Sequence, residues 1–414
     1  MDEWKRNLRI LVVGQFIVMG AMTMIIPFLP LYLQELGVND PKTLSVWAGI
    51  IFGANFLTAF LFSPFWGRMA DKYGRKMMIL RSGFGMAIIV SLTGLAAGPI
   101  SLLLLRLLNG VVSGFIPASI GLVSTNTPKE KVGYALGVLQ SGAVAGAICG
   151  PLMGGVLAQA FGYRMIFFLT GICILTAALV VLFFVKEQFT PSPQAEKKST
   201  KQDLKTITSH KPILSLYVVI FFIQLAVIGV NPLISLFVEE LTHGQHVAFY
   251  AGLVISVMGF ANMLTSPQLG KLSDKLGAHH ILIYSMLGVA LFSIPQAFVT
   301  DIWHLIVLRF LVGLCLGGLL PAANTLIRMH APPGMESRTY GFSNSAMYFG
   351  MMIGPIIGGW IVANIGMRGL FLVSAIVLLI NVVIVKLKVL SPASRTFQAE
   401  KRRRTQRKKV VTHT

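Results

Sequence analysis

The feature that most constrains this chain is a succession of long apolar runs with few charges. Their approximate limits are 10–34, 44–66, 77–97, 100–124, 133–158, 163–185, 212–238, 248–269, 279–299, 302–327, 338–363 and 368–388. Each run is long enough to cross a hydrocarbon core of about 30 Å as a helix. Because lipid offers no hydrogen bonds to a backbone, helices are the structure that such runs predict. We therefore expect an all-α polytopic membrane protein with twelve transmembrane helices.

The charge distribution predicts the orientation of these helices. The chain has 35 Lys and Arg against 15 Asp and Glu, a net charge of +20. Most of the basic residues fall in alternate connections, which become the inner ones if the N-terminus is inside. This asymmetry places both termini in the cytoplasm of a protein of the cell membrane. The basic stretch 401–409 is expected to contact anionic lipid rather than nucleic acid.

Internal repeats divide the chain into two halves. GRMADKYGRK at 67–76 recurs as GKLSDKLGAH at 270–279, and the glycine-rich stretch 137–155 has a counterpart at 341–359. A polar segment separates the two copies. We expect six-helix halves at 1–185 and 212–390, joined by a cytoplasmic linker at 186–211 and followed by a basic cytoplasmic tail at 391–414. Two parallel repeats of this kind are typical of a transporter with a midplane site and alternating access.

Other chemistry is not indicated. The three cysteines lie in apolar spans and are expected to be small buried residues, and the histidines are too scattered to predict a metal site. No phosphate-binding loop, nucleophile elbow or pair of catalytic acids is present. We expect neither an enzyme nor a bound cofactor.

The repeated loop at 67–76 resembles the signature loop of the major facilitator superfamily, and the resemblance extends over the whole chain. It implies a conformational switch built from Gly67, Arg68, Asp71, Gly74, Arg75 and Lys76, with Asp274 in the degenerate second copy. The two glycines of the first copy would permit a tight turn. Asp71 would form a charge relay with the basic residues and lie against a helix N-terminus of the opposite half. The alternative is a solvated basic loop that serves topology only.

The stretch GVLQSGAVAGAICGPLMGG, 137–155, is similar to the antiporter signature of the same family. The matching residues are Gly137, Gly146, Gly150, Pro151, Gly154 and Gly155. Glycines at such spacing let helices approach closely, and we leave open whether they form a hinge, a proton seal or room for a neighbouring helix. With PFLPLYLQELGV at 27–38, the stretch resembles the twelve-span drug:proton antiporter branch.

This resemblance implies a monomeric secondary transporter in the lipid bilayer that exports amphipathic drugs or antimicrobial compounds. The proton gradient would supply the energy. The alternatives are a nutrient or metabolite symporter or facilitator of the same fold, and a non-transporting membrane sensor.

Charged residues within or at the ends of spans are the candidates for proton coupling. Arg106 resembles a family motif linked to proton translocation, and Arg309 occupies the same position in the second half. The alternative for Arg106 is a side chain that extends to the outer interface. Glu35 and Glu240 occupy equivalent span ends, as proton carriers or as interfacial carboxylates.

Polar side chains on the spans that should surround the central cavity are candidates for substrate binding. They are Gln15, Asn55, Asn109, Gln140, Gln224, Asn231, Asn262, Asn324 and Asn344. Hydrogen bonding between neighbouring helices is the alternative role for each of them.

Overall fold

A computed structural model describes residues 3–187, 211–331 and 336–389 of the chain. The side chains of Lys129, Lys211, Asp274 and residues 336–338 are outside this description, as are the basic tail and nearly all of the proposed linker.

Twelve long helical segments follow one another in the part of the chain that the structure describes. The first half contains α1 Glu3–Glu35, α2 Pro41–Tyr73, α3 Arg75–Thr93, α4 Pro99–Asn126, α5 Val132–Phe161 and α6 Tyr163–Phe184. The second half contains α7 Pro212–Thr242, α8 Val247–Leu276, α9 Ala278–Gln296, α10 Ile302–His330, α11 336–365 and α12 367–384. The predicted all-α fold is confirmed, and the last two helices run on as one segment of the described chain, divided by a non-helical residue at Gly366.

The repeat that is visible in the sequence is also present in the backbone. Gly74 turns the chain from α2 to α3 with φ +93°, and Gly277 does the same from α8 to α9 with φ +96°. Gly162 (φ +79°) and Gly366 (φ +74°) likewise separate α5 from α6 and α11 from α12. Residues with a side chain rarely adopt a positive φ, whereas glycine does so readily. Equivalent helix pairs in the two halves are therefore joined by a turn at a single glycine.

The turn between α2 and α3 is shorter than the sequence suggested. Gly67 was expected to help form it, but α2 continues as a helix to Tyr73, and Gly74 is the turn residue. The physical reason is that a lone glycine weakens a helix only slightly. Most of the signature loop is thus the end of α2 and the start of α3.

The helices end at two faces, which we name by position. The terminal face carries the start of α1 and the end of α6, where Asn7 Nδ2 donates to the carbonyl of Lys186 at 2.6 Å. The opposite face carries the connections 36–40, 94–98, 243–246 and 297–301. A single buried apolar cluster near the opposite face includes Leu29 and Leu33 from the first half together with Ile234 and Phe237 from the second. The two halves therefore share a core at that face.

Candidate functional site

The glycine-rich stretch forms a close seam between α5 and α1. Four of its glycines, spaced four residues apart, lie against the α1 backbone: Gly142, Gly146, Gly150 and Gly154. A Cβ atom at Gly154 would lie only 2.6 Å from the carbonyl oxygen of Met24, and one at Gly146 would overlap that of Phe16. A backbone carbonyl cannot rotate away as a side chain can. Residues four apart form one ridge of a helix, so this ridge must lack side chains for the two helices to approach.

The second copy forms the same seam between α11 and α7. Cβ atoms at Gly350 and Gly358 would each lie 2.6 Å from a carbonyl oxygen of α7, those of Phe221 and Gly229. The repeat in sequence therefore reflects a repeat in helix packing. Of the roles left open for these glycines, the structure supports room for a neighbouring helix.

A different edge of the stretch contacts the other half of the molecule. A Cβ atom at Gly155 would lie 2.7 Å from the carbonyl oxygen of Ala248 on α8. Reciprocally, Gly252 of α8 lies against the carbonyl of Pro151. These backbone contacts form the α5–α8 seam, which closes the space between the halves near the opposite face.

The pseudo-symmetric α2–α11 seam closes the other side. Gly359 of α11 lies against the carbonyl of Ser45, and Gly49 of α2 lies against that of Pro355. In both inter-half seams, a glycine on each helix faces a backbone carbonyl of its partner.

Among the described residues, three polar contacts join the halves in the same region. Ser256 Oγ on α8 donates to the carbonyl of Ile148 on α5 at 2.7 Å. Gln34 Nε2 donates to Glu239 Oε2 at 3.2 Å, and Gln159 contacts the ring of His246. The first of these was not foreseen from the sequence, where Ser256 resembles any small residue of an apolar span.

Toward the terminal face, the same helices present exposed surface. Gly137 and Gly341 have no atom within 4 Å of an added Cβ. One turn further along their helices, Gln140 and Asn344 are exposed and occupy equivalent positions in the two halves. Exposed polar residues on membrane helices usually face water-filled space. The backbone contacts between the halves thus lie near the opposite face, whereas this exposed pair lies toward the terminal face.

The remaining polar candidates have other surroundings. Asn109 Nδ2 donates to Asn55 Oδ1 at 2.8 Å, which joins α4 to α2. Gln15 and Gln224 are buried. These four side chains lie between helices rather than at the open surface. Of the other candidates, Asn324 is exposed, whereas Asn231 and Asn262 are partly buried.

The residues expected to form a conformational switch contact groups of their own half. Asp71 Oδ1 lies 3.3 Å from Arg75 Nη2, and the Asp71 side chain is 67% exposed. Arg68 Nε donates to the carbonyl of Pro64 at 3.4 Å. Asp274 belongs to α8, but its side chain lies outside the description.

The α3 N-terminus has a carboxylate partner that the sequence did not predict. Glu187 accepts hydrogen bonds from the backbone N–H groups of Arg75, at 3.0 Å, and Lys76, at 2.8 Å. Free N–H groups and the helix dipole both favour a negative charge there. Lys76 Nζ completes the link by donating to the carbonyl of Leu182 at the end of α6. The turn is thereby tied to the end of its own half.

Another unpredicted cluster lies where α4 is interrupted at Ser113 and Gly114. The Arg81 guanidinium lies 3.5 Å above the Trp66 ring and donates to the carbonyl of Ser113 at 3.2 Å. Trp66 Nε1 donates to the carbonyl of Val111 at 2.6 Å. Carbonyl groups freed by the break thus gain a cation and an indole N–H.

The two candidate arginines lie inside their own bundles. The Arg106 guanidinium carbon is 5.9 Å from the centre of the Phe167 ring, and that of Arg309 is 5.4 Å from the centre of the Phe371 ring. These are equivalent phenylalanines of α6 and α12. Arg106 is partly buried and Arg309 is 5% exposed. In the second half, the guanidinium does not extend to an interface.

The candidate acids lie at the opposite face. Glu35 is exposed, and Glu240 forms an exposed 3.1 Å ion pair with Arg368. Glu239 is partly buried and belongs to the contact with Gln34 described above. Of the three acids at these span ends, it is the one with a described partner across the halves.

The cysteines differ in part from expectation. All three are free, and Cys149 is exposed rather than buried, whereas Cys173 and Cys315 are partly buried. Since α5 places Cys149 beside Gly150, the residue lies next to a seam without being covered by it.

Comparison with known proteins agrees with this architecture. The family model described as Major Facilitator Superfamily matches residues 11–292 and 216–413. Multidrug resistance protein MdtG of Enterobacter lignolyticus is 41% identical over 382 residues, with 92% of this chain and 91% of the relative covered. MdtG of Klebsiella pneumoniae is 38% identical over 400 residues, with 96% and 97% covered.

Solved structures share the fold at much lower identity. A bacterial homologue of the human lysosomal transporter Spinster, in an inward-facing and occupied conformation, has a TM-score of 0.78 at 16% identity, covering 94% of this chain and 97% of its own. The nucleoside transporter NupG has a TM-score of 0.77 at 13% identity, covering 93% and 100%. The twelve helices, their parallel repeat and these matches together show that the chain belongs to the Major Facilitator Superfamily, among transporters of the MdtG type.

Proposed function

We propose that this protein is a drug exporter of the inner membrane that exchanges amphipathic compounds for protons by alternating access. The observation that carries the proposal is the pair of glycine–carbonyl seams near the opposite face, together with the exposed Gln140 and Asn344 toward the terminal face. From these we infer a cavity between the halves that opens at the terminal face. The relatives' name, multidrug resistance protein, supports drugs as the substrate class. The positive-inside rule supports a cytoplasmic terminal face, so the open cavity would take substrate from the cytoplasm or the inner leaflet.

The cavity chemistry supports an amphipathic substrate. Gln140 and Asn344 offer hydrogen bonds without fixed charge, and Leu61, Phe65 and Met263 are exposed apolar side chains on the α2 and α8 segments toward the same face. A cavity with few fixed polar groups and flexible apolar side chains suits varied ligands. No bound coenzyme takes part in this proposal, in which the proton gradient is the energy source and transport the only activity.

Proton binding would weaken a contact that joins the two halves at the opposite face. Glu239 accepts a hydrogen bond from Gln34 of the other half, and protonation of its carboxylate weakens that contact. Arg368 and Glu240 lie in the same region, as does Glu35 at the end of α1. We assign Glu239 to the protonation step, while Arg106, Glu35, Glu240 and Arg309 remain the other candidates for coupling.

The test is accumulation of a fluorescent cationic dye in cells with and without the protein. Export predicts lower accumulation that an ionophore restores, and Glu239→Gln should remove most of this difference. Asn364→Asp, an exposed change near the same face, is the matched control and should retain it. Increased uptake in wild-type cells would favour the symporter or facilitator, and no effect across varied compounds would favour a sensor.

A further inference from the structure

A small cavity lies inside the C-terminal half, away from the space between the halves. It has a volume of about 20 Å³ and lies among α7, α8, α9, α10 and α12. Its lining includes Met258, Ser293, Gln296, Arg309, Phe371 and Ser374. A cavity of this size holds one water molecule or one ion of similar size, which excludes any drug.

Arg309 brings an uncompensated positive charge to this cavity. Its side chain is 95% buried, since its exposure is 5%, and neither Nε nor Nη2 has a hydrogen-bond partner among the described residues. Nη1 has only the sulfur of Met258, at 3.6 Å. The Phe371 ring offers a weak cation–π contact. A charge removed from water needs a counter-charge, because desolvation costs several kcal/mol per ion.

The neighbours of Arg309 in the C-terminal half differ from those of Arg106 in the N-terminal half. Where the N-terminal half has Asn55 and Asn109, whose side chains hydrogen-bond to each other, the equivalent positions hold Met258 and Val312. Asn109 lies one helical turn from Arg106 and on the same face. The C-terminal half retains the cation but has replaced the neighbouring amides with apolar groups.

We propose that this cavity is a binding site for a monatomic anion, chloride in the cell, held by Arg309. The unpartnered Nε and Nη2 groups of Arg309 and the Ser374 hydroxyl line the cavity and can donate to the ion. Gln296 also lines the cavity, where its Nε2 donates to the carbonyl of Phe292 at 3.0 Å and its Oε1 has no partner among the described residues. A water molecule would satisfy the donors but leave the charge uncompensated, whereas chloride would satisfy the donors and also compensate the charge. In this site Arg309 stabilises the C-terminal half.

The experiment measures thermal unfolding of the purified full-length protein in detergent, with sodium chloride exchanged for sodium gluconate at constant ionic strength. A ligand that binds the folded state raises the unfolding midpoint as its concentration rises above Kd. We expect chloride to raise the midpoint by several degrees in a saturable manner. Arg309→Met should lose this response, and Ser374→Ala should shift it to higher chloride concentrations.

The pseudo-symmetry supplies the matched control. Arg106→Met removes the equivalent cation of the other half and should retain the full chloride response. If Arg309→Met does not fold, the Ser374→Ala titration and the wild-type response still decide the matter. An equal midpoint in chloride and gluconate means that water alone fills the cavity and overturns the proposal. A response that persists unchanged in Arg309→Met or in Ser374→Ala places the ion elsewhere and also overturns the proposal. Because the readout is stability, failure of drug export leaves this test unaffected.

Discussion

Gly252→Ala should shift the protein toward the conformation that is open at the opposite face. Gly252 lies on α8 against the carbonyl of Pro151 on α5. The added methyl carbon would overlap that oxygen and lie 3.0 Å from the Pro151 carbonyl carbon and 3.3 Å from Leu152 Cα. These are backbone atoms, so the helices themselves must separate. The contact joins the two halves, and it exists only while the opposite face is closed.

The size of the shift follows from the overlap. Overpacking by one methyl group costs about 1–3 kcal/mol. When that penalty falls on one of two conformations, their ratio changes by about 5- to 150-fold. The lower limit is enough to turn an even mixture into one of about 5:1.

Distances between spin labels on the two halves measure this ratio. The label pair at Lys42 and Gln245 reports on the opposite face, and the pair at Glu130 and Arg328 reports on the terminal face, all four being exposed. The native cysteines are first replaced by serine. In Gly252→Ala the first pair should gain a longer distance and the second a shorter one.

Gly137→Ala is the matched control, because an added Cβ there has no atom within 4 Å. It should leave both distance distributions unchanged. If Gly252→Ala folds normally and also leaves both distributions unchanged, the α5–α8 seam does not hold the opposite face closed and the reasoning fails.

Three further outcomes follow from individual contacts. In Gly146→Ala the added methyl group meets the Phe16 carbonyl of the same half, so the folded state should be destabilised by about 1–3 kcal/mol. The unfolding midpoint should fall, while the distances between the spin labels stay unchanged. A shift in those distances would contradict a seam that lies wholly within one half. Arg106→Met should insert normally but abolish ionophore-sensitive dye export, and normal export would remove Arg106 from coupling. The hydroxyl and backbone N–H of Thr43 donate to Asp40, which lowers the pKa of that carboxyl. The cap is therefore complete above the unfolded-state pKa and is lost as pH falls through the lower folded-state value. The protection factors of amides in the first turn of α2, which correct for the intrinsic exchange rate at each pH, should therefore fall in acid and fall less in Asp40→Asn.

Much of the fold could be predicted because the bilayer leaves few options. Long apolar runs must be helical, and repeated motifs at constant separation must be repeated structure. The same constraint explains the error at Gly67. Sequence patterns mark where charges begin, and the charges after residue 66 suggested a loop, but a helix can extend beyond the membrane. Gly74 differs because the chain must reverse there at a positive φ.

The site was less predictable because partners distant in the chain determine it. Glu187 follows the last residues of α6 and looks like the start of a linker, yet it binds the α3 N-terminus 111 residues away. Glu240 was a candidate proton carrier on its position alone, whereas its ion pair with Arg368 depends on how α7 and α12 meet. Residue type and spacing select the groups that can carry chemistry, but only packing decides what faces them.

The glycine-rich stretch 137–155 forms two kinds of seam, one within its own half and one with the other half. Gly146 fixes α5 to α1 within one half, whereas Gly155 meets α8 of the other half. Alternating access requires that the first seam persist and the second separate. A contact of glycine against a backbone carbonyl is suited to separation, because those carbonyls already belong to helices and leave few polar groups unpaired when exposed. The Ser256–Ile148 hydrogen bond adds a net contribution of only about 0.5–1.5 kcal/mol to closure. The stretch therefore combines a permanent packing surface with a releasable one, and an exporter of this design can open its closed face without disturbing either half.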